Sequence, residues 1–371
     1  MAAIIIAFTA AGLGLISVGA FLGHDEAVYA LRARAFALSK PYRFFWGDYR
    51  APGLPGVLSL LWTIRPTEPY LRAAVLAFGG MGLVTTWWLG RHLFDRITAV
   101  IAAALVACMP GYLVASTQVW PDVPGAVLGL GAILVFAAAS AGPRVRWWAV
   151  LTVVPAAAAT VVRYGAPLPI GVGYAVVALC RWPAVRRSLP QTLLTATLTA
   201  MVCLGLLLVP ELTGSLVAPW AAINALQAGQ DFAFHQSFVD FARQAPRLLG
   251  IAVGPLVVVG GGLLFRQSRR RGLPARSLAM AAATAVGTVL GLALVLGHGE
   301  WRYLMPAVPW VAVLGAAGLA WPLRNVSYAA RPAVVALAVP VGLAVLAAGI
   351  VLAREPHVAQ KRSISVLRAA S

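Results

Sequence analysis

Long apolar runs separated by short polar breaks recur from one end of the chain to the other. A hydrocarbon core about 30 Å thick is crossed by about twenty apolar residues in a helix. Stretches of that kind predict spans near 2–22, 70–90, 97–115, 123–142, 147–162, 166–180, 191–212, 248–265, 277–297, 304–322 and 332–353. The expected fold class is an all-α integral membrane protein, a polytopic bundle of about eleven transmembrane helices forming one domain over residues 1–371. The first run is longer than the apolar region of a secretory signal and has no basic segment before it, so it reads as a retained helix.

Three stretches break the pattern: a first loop at 23–69, a second at 213–247 and a tail at 354–371. Within the first loop, residues 53–64 are apolar but too short to cross comfortably, which suits a helix lying in the interface. Counting that segment as a span would reverse the side of every later loop. The second loop alternates aromatic with polar residues, including Phe232, Phe234, His235, Phe238 and Phe241, and reads as an interfacial lid.

Composition agrees with the pattern. Hydrophobic residues make up 61% of the chain and charged residues 11%, and mean hydropathy is +0.85. Soluble domains carry about 25% charged residues. A net charge of +18 would suggest nucleic acid in a soluble protein. Here the basic residues sit between apolar runs, with no stripe of stacking aromatics, so they read as topology determinants facing membrane lipids, and no nucleic-acid partner is expected. Cys108, Cys180 and Cys203 lie within or at the ends of apolar runs without metal-ligand spacing, and read as small packing residues.

Charge is distributed unevenly between the two sets of loops. One set holds Arg91, Arg96, Arg144, Arg146, Arg181, Arg186, Arg187, Arg266, Arg269, Arg270, Arg271, Arg276, Arg324 and Arg331 against a single acid, Asp95. These loops are expected in the cytoplasm. The other ten of the eleven carboxylates then fall on the extracytoplasmic side. The predicted span interiors carry no Asp, Glu, Lys, Arg or His, with Arg72 at an outer end, whereas ion-coupled transporters place ionisable groups near the midplane. Chemistry is therefore expected at the outer face of a multi-pass cell-membrane protein. A transporter or flippase of a lipid-linked or anionic substrate is the alternative reading.

Asp25 and Glu26 follow the first span in GHDEAVYALRAR. A carboxylate at the membrane surface can act as general base toward an acceptor hydroxyl within hydrogen-bonding reach; it can also simply anchor a helix end. Asp122 in VWPDVPG suits a helix N-terminus equally well. Together, Asp25, Glu26 and Asp122 could share a proton, orient an acceptor or hold a divalent cation through oxygen ligands. No other cofactor is called for. Arg50 in GDYRAPGLPG, Arg163 in VVRYGAPLP, and His298, Arg302 and Tyr303 in GHGEWRYLMP fall on the same side. Each is an interface anchor taken singly. Jointly they offer guanidinium groups at the depth of lipid phosphates, and the planar fork of arginine matches phosphate oxygens.

The strings DEAVY, YRAPGLPG, LGRHLF, VWPDVPG and EWRYLMP, in this order across residues 20–320, resemble the glycosyltransferase-C superfamily, in the branch of the protein O-mannosyltransferases and aminoarabinose transferases. The resemblance implies a bundle with interfacial helices in a long first outer loop. It also implies a sugar donor linked to polyprenyl phosphate, used on the non-cytoplasmic face, with a glycan, lipid or protein acceptor. Asp25 would be the base or acceptor-positioning carboxylate with Glu26 beside it, and Asp122 the second acid. Arg50, Arg302 and Tyr303 would lie near the donor phosphate. Relatives often carry Pro-Pro or Lys-Pro where this chain has Arg50-Ala51-Pro52, a departure that bears on the role of Arg50.

Overall fold

The computed structural model describes residues 1–17, 23–39, 50–65, 67–140, 145–212, 234–271, 275–296 and 299–325. The predicted last span, the tail, most of the second loop (213–233) and His298 lie outside these residues. The described chain is built of helices, as a lipid solvent demands: hydrocarbon offers no hydrogen bonds, so each backbone N–H and C=O must be satisfied within its own segment.

The chain opens with α1 (Ala2–Ser17), followed by the first-loop helices α2 (His24–Ala37) and α3 (Gly53–Ile64). Then come α4 (Glu68–Leu93), α5 (Arg96–Ala107), α6 (Pro110–Ser116), α7 (Asp122–Ala139), α8 (Val145–Val162), α9 (Pro167–Cys180), the short α10 (Trp182–Val185) and α11 (Leu189–Leu212). The long α12 (Phe234–Arg271), α13 (Ala275–Val295) and α14 (Val308–Asn325) complete the described bundle. A 3₁₀ segment, Trp301–Ala307, leads into α14. Among the described residues six helices are long and apolar enough to cross a membrane, or seven if α5 and α6 form one broken span.

The predicted span at 97–115 is a correction: it is not continuous. α5 and α6 meet at 70°, with Pro110 at the start of α6, where a missing backbone N–H is tolerated. Asp95 caps the other end of α5, its carboxylate accepting from Thr98 N at 2.8 Å. The predicted span at 248–265 is part of the much longer α12. That helix breaks at Gly250, whose φ of 76° is open to glycine at little cost. The short apolar segment at 53–64 is a helix, α3.

Two packed cores hold these elements. The larger joins helices α4, α5, α7, α9, α12, α13 and α14 through buried Leu83, Leu130, Ile133, Met280 and Trp310, with small residues such as Ala102, Ala132 and Ala316 between them. Small side chains let helices approach closely where no hydrophobic effect separates protein from lipid. The smaller core joins Tyr29, Ala30 and Ala33 of α2 to Leu54 and Leu58 of α3, and both to Leu71 and Val75 of α4, Val119 and Val162. It fixes α2 and α3 on the end of the bundle, and so fixes Asp25 and Arg50.

Gly53 is essential to that docking. A methyl group there would stand 2.7 Å from the Val161 carbonyl carbon and oxygen and 2.8 Å from Val162 N. The start of α3 therefore lies directly against the backbone at the end of α8, one residue before Arg163.

Candidate functional site

Asp25 and Glu26 are neighbours in sequence but not in function. Both lie in the first turn of α2, where successive side chains project about 100° apart. Asp25 faces the chain segments that follow, and Glu26 faces the bundle.

The Asp25 carboxylate is held by two arginines from distant parts of the chain. Arg50 Nη2 donates to Oδ1 at 2.5 Å and Arg302 Nη1 donates to Oδ2 at 2.7 Å. Burial pushes the Asp25 carboxyl upward, but the two guanidiniums outweigh it and hold it below its ordinary value. Arg302 also pairs with Glu300 and lies 5.0 Å from the Trp120 ring and 5.5 Å from the Tyr303 ring. Trp120 and Trp301 pack with ring centroids 5.9 Å apart.

Arg163 approaches the same Tyr303 ring, at 5.2 Å, and pairs with the buried Asp122. The route from Asp25 through Arg302, Tyr303 and Arg163 to Asp122 is thus an unbroken set of contacts. Tyr29 closes it from the other side: Arg50 lies 5.4 Å from its ring. Burial pushes the Tyr29 hydroxyl up to about 12, with Arg50 and Arg163 pulling it down and Asp122 adding to the rise. Asp25, Asp122, Arg50, Arg163, Arg302 and Tyr303 therefore stand in one cluster, whose aromatic faces carry the cations.

Glu26 is separate. Its side chain is buried, with Oε1 accepting from Val119 N at 2.8 Å and Oε2 from Gly23 N at 3.0 Å. Arg72 Nη2 lies 3.3 Å from Oε2 and 2.9 Å from Glu68 Oε1, and Arg72 Nη1 donates to Thr117 O at 3.4 Å. This buried network ties α2, α4 and the 117–119 segment together. Asp25, Glu26 and Asp122, raised as carboxylates that could share a divalent cation, do not converge: among the described residues no group of three or more His, Cys, Asp or Glu comes together to hold a metal ion. Each of the three carboxylates has arginine as its partner instead, so the residues present do not fit a divalent cation held by that trio.

Several site residues were not singled out in the sequence. Tyr29 follows Asp25 by four positions, a helical spacing that places both on one face, and that spacing was available to read. Trp120 lies two residues before Asp122 inside the same motif. Gln244 carries no local signal. Its Nε2 donates to Gly299 O at 2.7 Å and its Oε1 accepts from Trp301 N at 3.1 Å, while Asp240 Oδ2 accepts from Gly299 N at 3.5 Å. α12 thereby grips the backbone on either side of Glu300, next to Arg302.

Comparison with known proteins bears on the fold. Residues 50–207 match the family described as dolichyl-phosphate-mannose-protein mannosyltransferase. The structure superposes on ArnT from Cupriavidus metallidurans bound to undecaprenyl phosphate, with a TM-score of 0.66 and 16% identity, over 88% of this chain and 60% of that one. The fold is that of the glycosyltransferase-C proteins. The oligosaccharyltransferase of Archaeoglobus fulgidus in its apo form superposes with a TM-score of 0.55 and 16% identity, over 95% of this chain and 56% of that one. Its complex tethered to an acceptor peptide containing the NVT sequon gives 0.56 and 15%, over 95% and 55%. The chain thus spans no more than about 60% of the length of these glycosyltransferase-C structures. No curated protein matches it in sequence.

Proposed function

We propose that this chain is a membrane glycosyltransferase that moves a sugar from a polyprenyl-phosphate donor to an acceptor hydroxyl on the extracytoplasmic face, with inversion and with Asp25 as general base. The observation that carries this reading is the double grip of Arg50 and Arg302 on Asp25. It puts a carboxylate and two phosphate-matching guanidiniums within one hydrogen bond of each other. Asp122 and Arg163 extend the cluster on the far side of Tyr303. The dolichyl-phosphate-mannose family match and the likeness to a protein bound to undecaprenyl phosphate support the donor class.

In the chemistry proposed, the donor phosphate takes up donors of Arg50 and Arg302, loosening their hold on Asp25. The acceptor oxygen attacks the anomeric carbon while its proton passes to an Asp25 carboxylate oxygen. The bond from the anomeric carbon to the phosphate oxygen breaks, and its electron pair leaves with the polyprenyl phosphate. The same arginines stabilise the charge that develops there. Asp122, held by Arg163, orients the sugar or the acceptor. The buried Trp120 indole Nε1–H, which finds no acceptor among the described residues, is a further donor for a bound oxygen. Tyr29 remains protonated through the physiological range and can donate in the same way. Glu26 and Arg72 hold the scaffold.

The test is sugar transfer by purified protein in detergent, supplied with polyprenyl-phosphate sugars and candidate acceptors. Transfer that depends on Asp25 supports the reading. No transfer with any such donor, or undiminished transfer in Asp25→Asn, overturns it.

A further inference from the structure

The opposite end of the bundle carries a second concavity with its own chemistry. Ala166, just before α9, bonds to Arg163 at the Asp122 cluster. α9 then runs to Cys180, about 20 Å away at 1.5 Å per residue. There the end of α4, the end of α9, α10 and the start of α13 border an open cavity of about 540 Å³. Arg181, Arg187 and Arg276 line it, together with Ser277, and among the described residues no carboxylate does.

We propose that this cavity binds the phosphate of an anionic lipid headgroup at the membrane surface opposite the Asp25 site. Three guanidiniums around one space with no acid in its wall repel one another until an anion is present. Arginine also supplies the donor fork that phosphate accepts best. Arg181 is already set in place: Nη1 donates to Ala137 O at 2.7 Å and Nη2 meets His92 Nε2 at 2.5 Å. Ser277 lies in the first turn of the 21-residue α13, where unpaired backbone N–H groups favour an anion. Leu93 and Met280 give the cavity an apolar wall. On the other side of α10 an apolar groove of about 510 Å³, lined by Trp182, Val185, Leu189 and Leu193, offers an acyl chain a bed beside the headgroup. Basic pockets between helices at the membrane surface are suited to anionic lipid. The occupant is phosphate-bearing in any case, and the experiment separates a lipid from free phosphate.

Delipidated full-length protein in neutral detergent is titrated with phosphatidylglycerol, phosphatidylcholine and inorganic phosphate, with native mass spectrometry and melting temperature as readouts. Phosphatidylglycerol is expected to bind saturably and raise the melting temperature. Arg187→Gln/Arg276→Gln is expected to weaken this binding at least about tenfold, since two charge-assisted contacts are removed, while Arg266→Gln leaves it unchanged. Inorganic phosphate protecting to the same extent, and losing its effect in the double variant, keeps the anion site and assigns it to a soluble ligand. Equal phosphatidylglycerol binding by wild type and double variant overturns the proposal, as does equal binding of phosphatidylcholine. If the glutamine variant is unstable, Arg187→Lys/Arg276→Lys replaces it: charge is kept and the fork is lost, so weaker binding than wild type is expected, and unchanged binding overturns the proposal.

Discussion

Arg302 donates a 2.7 Å hydrogen bond to Asp25 across 277 positions of sequence. Arg50 reaches the other oxygen of the same carboxylate from 25 positions away. A first-turn residue of α2 is thereby tied both to its own loop and to the 3₁₀ segment before α14. In the proposed chemistry this pairing is the resting state of the base, and both arginines must share themselves between Asp25 and a donor phosphate.

Asp25→Asn keeps the shape of the side chain and some of its hydrogen bonding but cannot accept the acceptor's proton. Removing a general base lowers rate by about 10²–10⁴-fold. The expected result is a fall of that size in kcat, with donor affinity unchanged or higher because Arg50 and Arg302 are released from a competing carboxylate. Single-turnover transfer and donor binding, measured separately, check both halves.

The pH dependence follows from the same pair. Arg50 and Arg302 hold Asp25 below its ordinary value of 3.8, so the free protein carries it ionised at every pH above that. The ion pairs stabilise the fold fully above the ordinary value and lose their contribution as pH falls through the lowered native one. In kcat/KM, which reports the free enzyme, no acid limb from Asp25 is expected above pH 3.8. Once phosphate draws an arginine away, the carboxyl rises, so the acid limb of kcat lies at higher pH than that of kcat/KM. Coincident limbs in the two profiles would count against a base released by the donor.

Which features were legible in the sequence depends on how local their physics is. Apolar runs announce helices, and α3 was readable at 53–64 because composition alone marks a short apolar segment in a polar loop. The bend at Met109–Pro110 was not, since α5 and α6 are apolar on both sides and proline tolerates either a span or a break. Asp25, Arg50, Asp122, Arg163 and Arg302 could be nominated as charges on one side of an otherwise uncharged bundle. Glu26 looked equivalent to Asp25 because adjacency in sequence hides a rotation of about 100° on a helix. Its partners, Arg72 and the Val119 N–H, are set by packing. Gln244 was invisible for the same reason: its role exists only once α12 lies beside residues 299–301.

Glu26→Ala should therefore act on stability first. It strips the carboxylate from a buried Arg72 and leaves the Val119 N–H without its acceptor. Breaking a buried ion pair costs about 3–5 kcal/mol, and the lower end is expected because Glu68 still pairs with Arg72. A drop in melting temperature in detergent is the readout, and Glu26→Gln should restore part of it by keeping the hydrogen bond to Val119 N. An Ala variant with unaltered melting temperature and lost transfer would assign Glu26 to the chemistry instead.

Gln244→Ala tests positioning at a residue outside the charged cluster. The variant removes the two hydrogen bonds that fix Gly299 and Trp301, and with them the seat of Arg302. Misplacement by about 1 Å can cost about 10²-fold in rate. The expected outcome is a fall of about ten- to a hundredfold in kcat/KM with only a small change in melting temperature. Gln244→Glu keeps the acceptor for Trp301 N but not the donor to Gly299 O, and should fall between wild type and Ala. Equal loss in both variants would mean that the Gly299 contact alone matters.

Gly53→Ala places one methyl group at the joint between α3 and the end of α8. The nearest atoms are backbone, at 2.7–2.8 Å, and cannot rotate away as a side chain would. α3 must therefore move off Val161, carrying with it the Arg50 that grips Asp25 and disturbing the turn that presents Arg163. Overpacking of this kind costs about 1–3 kcal/mol, so the protein should still fold, with a lowered melting temperature. Transfer should fall more than stability does, because both arginines shift relative to their carboxylates. Gly56→Ala on the same helix is the control, since a methyl there meets nothing within 4 Å, and it should leave transfer and melting temperature near wild type. If both variants behave alike, the close approach at Gly53 does not position the site.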